Sequence, residues 1–453
     1  MSESSVITRH ALTVLAGQLA VMAFGVTDTI VAGRHSQESL AALSVGLAVF
    51  VSVYVALMGV LQALLPVWAE QRGANTPTAI GASVRQSLYL WAALTVLGMA
   101  VLLAPEPILR WTEVPPALRG EVRTYLAILA FGLPPALLFR IYSTLNQALG
   151  HPRLVTWLQV GSLAIKVPLS IWFTFGGAGL AAQGAAGCAW ATVVVNYSLL
   201  LLAWRMLRSH AMYVPLQLWR PLERPDPEQI ARFLRLGLPA GLSILVEVTS
   251  FTLMALFIAR QGSLASAAHQ IASNLAAVLY MVPLSLAIAT SARVSYWRGA
   301  GDEHQAAAAA MKGYWLAALM GIALAAILFI AKEPLASLYS ASADVVALTT
   351  MLLTWVAAYH VADALQTLCI FVLRSYRITL APLVVYCVML WGAGLAGGYA
   401  LAYHGWAGWG PYHSPMPFWA ASAAALAVTA LVFTALLLTV LRLQRRRAAV
   451  HPH

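Results

Sequence analysis

Charge is scarce in this chain. Asp, Glu, Lys and Arg supply 9% of its 453 residues, against about 25% in an ordinary soluble domain. Hydrophobic residues make up 61%, and the mean hydropathy is +0.78. Length alone would suit about three soluble domains, but so little polar surface cannot cover them. The natural solvent is a bilayer, which argues against a soluble enzyme, a disulfide-rich secreted domain or a disordered tail. Cysteine is also rare. Cys188, Cys369 and Cys387 are far apart, inside apolar stretches and without a CxxC or Cys/His pattern, so neither a disulfide framework nor a zinc site is indicated. A short apolar region with a small-residue cleavage site is missing too, and no removed signal peptide is expected. No Walker loop or nucleophile elbow occurs; the glycines of Gly176 to Gly187 are not followed by Gly-Lys-Ser/Thr and suit a flexible outer loop.

What the chain does have is long apolar runs. With a ruler of about 20 residues per membrane helix, twelve spans emerge, at about 12–33, 42–69, 86–104, 123–147, 154–175, 184–207, 234–259, 268–294, 313–331, 345–373, 379–403 and 417–441. Runs such as Ala421 to Val440 do not alternate as barrel strands must, so the expected fold is all-α and polytopic. The net charge of +11 comes from 27 bases and 16 acids. The bases lie almost wholly in short connectors, which is a topology signal rather than a nucleic-acid footprint. With the N-terminus inside, 19 bases fall on inner segments and span edges and six on outer ones. Both termini are therefore expected in the cytoplasm.

The sequence also repeats. Shifted by 226 residues, Leu19 to Ala74 lies over Leu245 to Ala300 without a gap, and Arg72-Gly73-Ala74 falls on Arg298-Gly299-Ala300. Six spans per repeat make the halves parallel, an architecture that places substrate sites between halves of a transporter. The expected division is an N-terminal six-helix lobe over 1–208, a Pro-rich charged linker over 209–235, a C-terminal six-helix lobe over 236–441 and a basic tail over 442–453. The linker is too short for a nucleotide-binding domain. Any uphill transport must draw on an ion gradient.

Three acids lie within spans: Asp28 in the first, Glu247 in the seventh and Asp363 in the tenth. A charge there costs at least about 2.5–3.5 kcal/mol on insertion scales and usually faces a polar cavity; the plainer alternative is a structural carboxylate paired with a cation such as Lys166. Ser243, Glu247 and Ser250 form one helical stripe, and Tyr359, Asp363 and Gln366 another. Two carboxylates with hydroxyl and amide oxygens could hold Na⁺, or one carboxyl could carry a proton; the residues fit both. Lys166 and Arg140 could meet anionic groups, pair with a carboxylate or snorkel. His269 and His360 suit interfacial places. Trp406, Trp409 and Tyr412 suit an aromatic belt, and Arg445-Arg446-Arg447 a topology anchor.

Three stretches, in order along the chain, resemble the multidrug and toxic compound extrusion (MATE) family in its NorM-type branch: Val26-Thr-Asp-Thr-Ile-Val-Ala-Gly33, Leu238-Pro-Ala-Gly-Leu-Ser-Ile-Leu-Val-Glu-Val248 and Tyr359-His-Val-Ala-Asp-Ala-Leu-Gln366. Ala268-His-Gln-Ile-Ala272 and Arg298-Gly299 also fit. The resemblance implies a V-shaped pair of six-helix lobes in the inner membrane. It implies export of bulky, often cationic drugs in return for inward Na⁺ or H⁺, with no cofactor beyond the coupling ion. The chain is expected to act as a monomer among membrane lipids, with no nucleic acid. By that resemblance Glu247 and Asp363 form the second-lobe cation site, Tyr359 assists them, and Asp28 is the first-lobe carboxylate. Ser243, Ser250, Gln366 and Lys166 are cavity candidates. Lys166 stands where relatives often carry a neutral polar residue and bears on the role of Asp28. The alternatives are a flippase for a lipid-linked precursor, which would line its cavity with more bases than Arg140 and Lys166, and a membrane-embedded enzyme, which would gather its catalytic groups at one membrane face.

Overall fold

The computed structural model describes residues 2–111, 114–177, 179–405 and 408–450. Within them lie twelve helices long and apolar enough to cross a membrane: α1 (Glu3–His35), α2 (Gln37–Gly73), α3 (Pro77–Leu103), α4 (Pro116–Ala148), α5 (Pro152–Phe175), α6 (Ala185–Ser209), α7 (Pro227–Ala259), α8 (Ser263–Gly299), α9 (Glu303–Ile330), α10 (Ala343–Ser375), α11 (Leu380–Tyr403) and α12 (Met416–Arg447). The all-α expectation holds among the described residues, which contain no strand beyond an isolated bridge between Gly177 and Leu180.

Most helices outrun the spans read from hydropathy, because polar and charged turns continue them past the apolar core. Thus α3 begins at Pro77, before the Arg85 that bounded the apolar run, and α9 begins at Glu303, capped by the Asp302 carboxylate accepting from Gln305 N at 2.8 Å. The basic residues after Leu441 prolong α12 as helix. Within α11, residues Cys387–Ala396 wind as a π-helix, a departure that hydropathy does not signal.

The helices are inside out by soluble standards. On α9, Ala306, Ala310, Gly313, Ala317 and Gly321 are buried, whereas Trp315, Leu319, Ile322 and Ile330 are exposed. Small residues face the neighbouring helices and large apolar ones face outward, as expected where lipid surrounds the bundle.

The chain forms two compact units. One is Thr13–Gly241; the other runs from Leu242 onward and includes the chain's first turns up to Leu12. The fourth helix of each repeat is the central one: α4 packs against α6, α2 and α3, and α10 against α8, α12 and α9. The repeated arginine now has a physical meaning. Arg72 Nη1 donates to Ala148 O at 3.4 Å, and Arg298 Nη1 donates to Ser375 O, so each arginine caps the last carbonyls of its central helix. The linker is pinned to the first unit: Arg85 bonds Glu223 at 2.5 Å, Gln86 bonds Arg224 O at 2.9 Å, and Tyr89 bonds Glu223 O at 2.7 Å. In the second unit, Glu3 holds Arg293 through two hydrogen bonds of 2.6 and 2.9 Å and also accepts from Trp297.

Candidate functional site

The second unit gathers most of the expected site residues. On α10, Asp363, Gln366 and Thr367 turn to one buried side. Gln366 Nε2 donates to Asp363 Oδ1 at 2.9 Å and to Thr367 Oγ1 at 3.0 Å, while Thr367 lies 3.4 Å from the same carboxylate oxygen. Tyr386 of α11 donates to Gln366 Oε1, which fixes which end of the amide faces Asp363. Tyr280 of α8 engages the Thr367 side chain. Asp363, 2% exposed, is thus held by a fixed set of donors.

Glu247 differs. It projects from α7, is half-buried, and has neither a salt bridge nor a hydrogen bond among the described residues. It feels the charges of Asp363 and Arg374. One carboxylate is therefore buried and held by hydrogen bonds, and the other is half-buried with no hydrogen bond among the described residues.

The remaining candidates take different places. Tyr359 is buried in a mutually edge-on aromatic cluster, with ring centroids 5.9 Å from Phe251 and 6.1 Å from Trp419. Ser243 is buried, and the Ser250 hydroxyl donates to Val246 O at 2.8 Å. Both belong to the Glu247 stripe, but the Ser250 proton is spent within its own helix. His269 is core rather than interfacial: it accepts from Trp419 Nε1 at 3.2 Å and meets Ser273 at 3.2 Å. His360 is likewise buried. Trp409 and Tyr412 are exposed, as a belt requires; Trp406 lies outside the described residues.

In the first unit, Asp28 is sealed. Lys166 of α5 has no exposed surface and clasps the carboxylate, with Nζ also reaching Thr192 Oγ1 at 2.7 Å and Cys188 O at 3.2 Å. Ser170 donates to Asp28 Oδ1 at 2.9 Å. A side chain so enclosed does not line an open cavity. Arg140 is buried with the Met58 sulfur as its hydrogen-bond partner. Among the described residues, no three of His, Cys, Asp and Glu gather as metal ligands.

Arg374 is the residue whose burial the hydropathy pattern did not signal. It lies in the last turn of α10, at the span edge, but it is 3% exposed there, and the charges of Tyr386, Tyr280 and Glu247 act on it. Its eleven-residue spacing from Asp363, three helical turns, was the available signal.

The family model MatE matches residues 14–172 and 239–400, one copy in each half. A probable multidrug resistance protein NorM of Aromatoleum aromaticum is 36% identical, with 96% of this chain and 93% of that protein covered. The multidrug resistance protein PmpM of Pseudomonas aeruginosa is 32% identical, covering 87% of this chain and 83% of its own. The crystal structure of the eukaryotic MATE transporter AtDTX14 superposes with a TM-score of 0.87 at 19% identity, covering 98% of both chains, which supports the fold. With both repeats matched and NorM proteins related over nearly its whole length, this chain belongs to the MATE family, in its NorM-type branch.

Proposed function

We propose that this protein is a secondary antiporter of the inner membrane, with both termini in the cytoplasm. It exports bulky organic cations, drugs among them, in exchange for inward Na⁺ or H⁺. The relatives named as multidrug resistance proteins support the substrate class. The observation that carries the reading is the contrast between Glu247, half-buried and uncommitted, and Asp363, buried and fixed by Gln366 and Thr367.

That pair suits competition. An organic cation gains from the ionised carboxylates, and a bound Na⁺ or proton removes the attraction. Exchange follows if the two occupants favour different orientations of the transporter, because an equilibrium shifts only by the difference in affinity for its states. Glu247 would admit the cation and Asp363 would complete its oxygen shell. Asp28, already neutralised by Lys166, would serve the scaffold of the first lobe and not the ion cycle.

The test is fluorescent-cation transport in reconstituted vesicles, with Na⁺ and pH gradients imposed separately at fixed membrane potential. Transport driven by one gradient and lost in Glu247→Gln and Asp363→Asn is expected. Gradient-independent behaviour of the wild type, or unaltered transport by both variants, would remove the proposal.

A further inference from the structure

Arg374 ends the polar face of α10. Asp363, Gln366, Thr367, Ile370 and Arg374 all lie on one side of this helix and all are buried. The guanidinium sits 4.4 Å from the Phe371 ring centroid, one turn back, so the side chain leans toward the acids. Its Nε and Nη1 are buried without a hydrogen-bond partner. No carboxylate lies within 4.0 Å of it among the described residues. Two other bases of this unit have carboxylate partners: Arg293 pairs with Glu3 and Arg298 with Glu303. The groups whose charges act on Arg374 are Tyr386 from α11, Tyr280 from α8 and Glu247 from α7.

A buried guanidinium with two idle donors is unfavourable unless an anion shares the space. Among the described residues, the one acid whose charge acts on Arg374 is Glu247 of the proposed ion site. We infer that Arg374 is the resident counter-cation of Glu247: it balances that carboxylate, so that the two-acid site carries one net negative charge and takes one univalent cation at a time. This deepens the antiport reading and rests on it. Two acids alone would attract a divalent ion or two univalent ones. With Arg374 present, one Na⁺, one proton or one singly charged organic cation completes neutrality, and each excludes the others. When that cation leaves, the idle donors of Arg374 face Glu247 and can receive its carboxylate, which makes departure easier. A planar fork suits this task because it meets a carboxylate through two parallel hydrogen bonds.

The experiment uses purified full-length protein and tetraphenylphosphonium as the univalent probe, displaced by protons or, separately, by Na⁺. The logarithmic displacement slope counts ions taken up per probe released. For the wild type and Arg374→Lys, which keeps the charge, a slope of about one is expected. Arg374→Gln should raise the slope toward about two. Glu247→Gln, which leaves Asp363 and Arg374 to cancel, should weaken probe binding by about tenfold or more. Adding Arg374→Gln to Glu247→Gln restores one net negative charge and should recover that binding. A merely structural arginine would give no such rescue. If Arg374→Gln does not fold alone, the Glu247→Gln variant with and without it decides the matter. A wild-type slope in Arg374→Gln, or no recovery in the double variant, overturns the assignment. Failure of both ions to displace the probe from wild type overturns the antiport reading, and this inference with it.

Discussion

Lys166 Nζ stands 2.7 Å from one carboxylate oxygen of Asp28 and 2.8 Å from the other. Both groups are buried, so the pair is a mutual requirement: removing either partner strands a charge, at a cost of about 3–5 kcal/mol. Lys166→Met and Asp28→Asn are each expected to lower the unfolding midpoint of the purified protein sharply. The combined Asp28→Asn, Lys166→Met protein leaves no charge behind and should recover most of the loss. If the ion cycle belongs to the second lobe, the double variant also transports. A stable double variant that fails to transport would return Asp28 to the mechanism.

In the second unit, a hydrogen-bond chain from Tyr386 through Gln366 to Asp363 gives a graded test. Tyr386→Phe removes the donor to Gln366 Oε1, leaving a buried amide oxygen unsatisfied, and should cost about 1–3 kcal/mol of stability. Gln366→Leu removes the 2.9 Å bond to Asp363 itself. It is expected to weaken coupling-ion affinity severalfold more than Tyr386→Phe does, measured as the ion concentration giving half-maximal exchange. Equal effects of the two variants on ion affinity would mean that the amide does not orient Asp363.

The sequence showed what depends on periodicity and composition, and missed what depends on contact between distant helices. Twelve spans, the repeat and the stripe carrying Tyr359, Asp363 and Gln366 follow from hydropathy and the helical turn. Lys166 could be seen as a candidate partner for a carboxylate, but its choice of Asp28 requires α1, α5 and α6 to meet. The burial of Arg374 escapes hydropathy, which cannot tell a buried helix end from an exposed one. His269 looked interfacial for the same reason, since its Trp419 partner is 150 residues away. The π-helical stretch of α11 has no signature in hydropathy at all.

The linker should stay docked over most of the accessible pH range. Glu223, outside the spans, has its carboxyl held below its usual value of 4.5 by the hydrogen bond and the charge of Arg85. A depressed carboxylate contributes its stabilisation above the ordinary value and loses it as pH falls through the lower, folded one. Because Glu223 is largely exposed, screening keeps the effect small. Hydrogen exchange across 217–226, corrected for the intrinsic pH dependence, is therefore expected to stay protected from neutrality to the usual glutamate range and to rise only below it. Arg85→Ala should raise exchange at neutral pH as well, since Arg85 also donates to Gln217 O at 2.6 Å. Unchanged protection in that variant would assign docking to Gln86 and Tyr89 alone.

Gly237 and Gly241 set how closely the start of α7 approaches α2 within the first unit. A Cβ on Gly241 would fall 2.5 Å from Ala56 O, and one on Gly237 would fall 2.8 Å from Val60 O. At Gly241 the nearest obstacle is backbone, which cannot swing aside as a side chain can, and at Gly237 the Val60 side chain at 2.7 Å adds to the backbone oxygen. The four-residue spacing lays both glycines on one face, the small-residue contact that membrane helices use for tight packing. Even Gly241→Ala should therefore destabilise the protein by about 1–3 kcal/mol through overpacking. Gly161 provides the internal comparison: it lies within α5, and a Cβ there meets nothing within 4 Å. Gly161→Ala should be neutral or stabilise by about 0.4–1 kcal/mol, because it restricts the unfolded chain without a clash. Thermal unfolding of both variants in one detergent separates the two cases. A Gly241→Ala midpoint at or above that of Gly161→Ala would show that α7 can move off α2 at no cost.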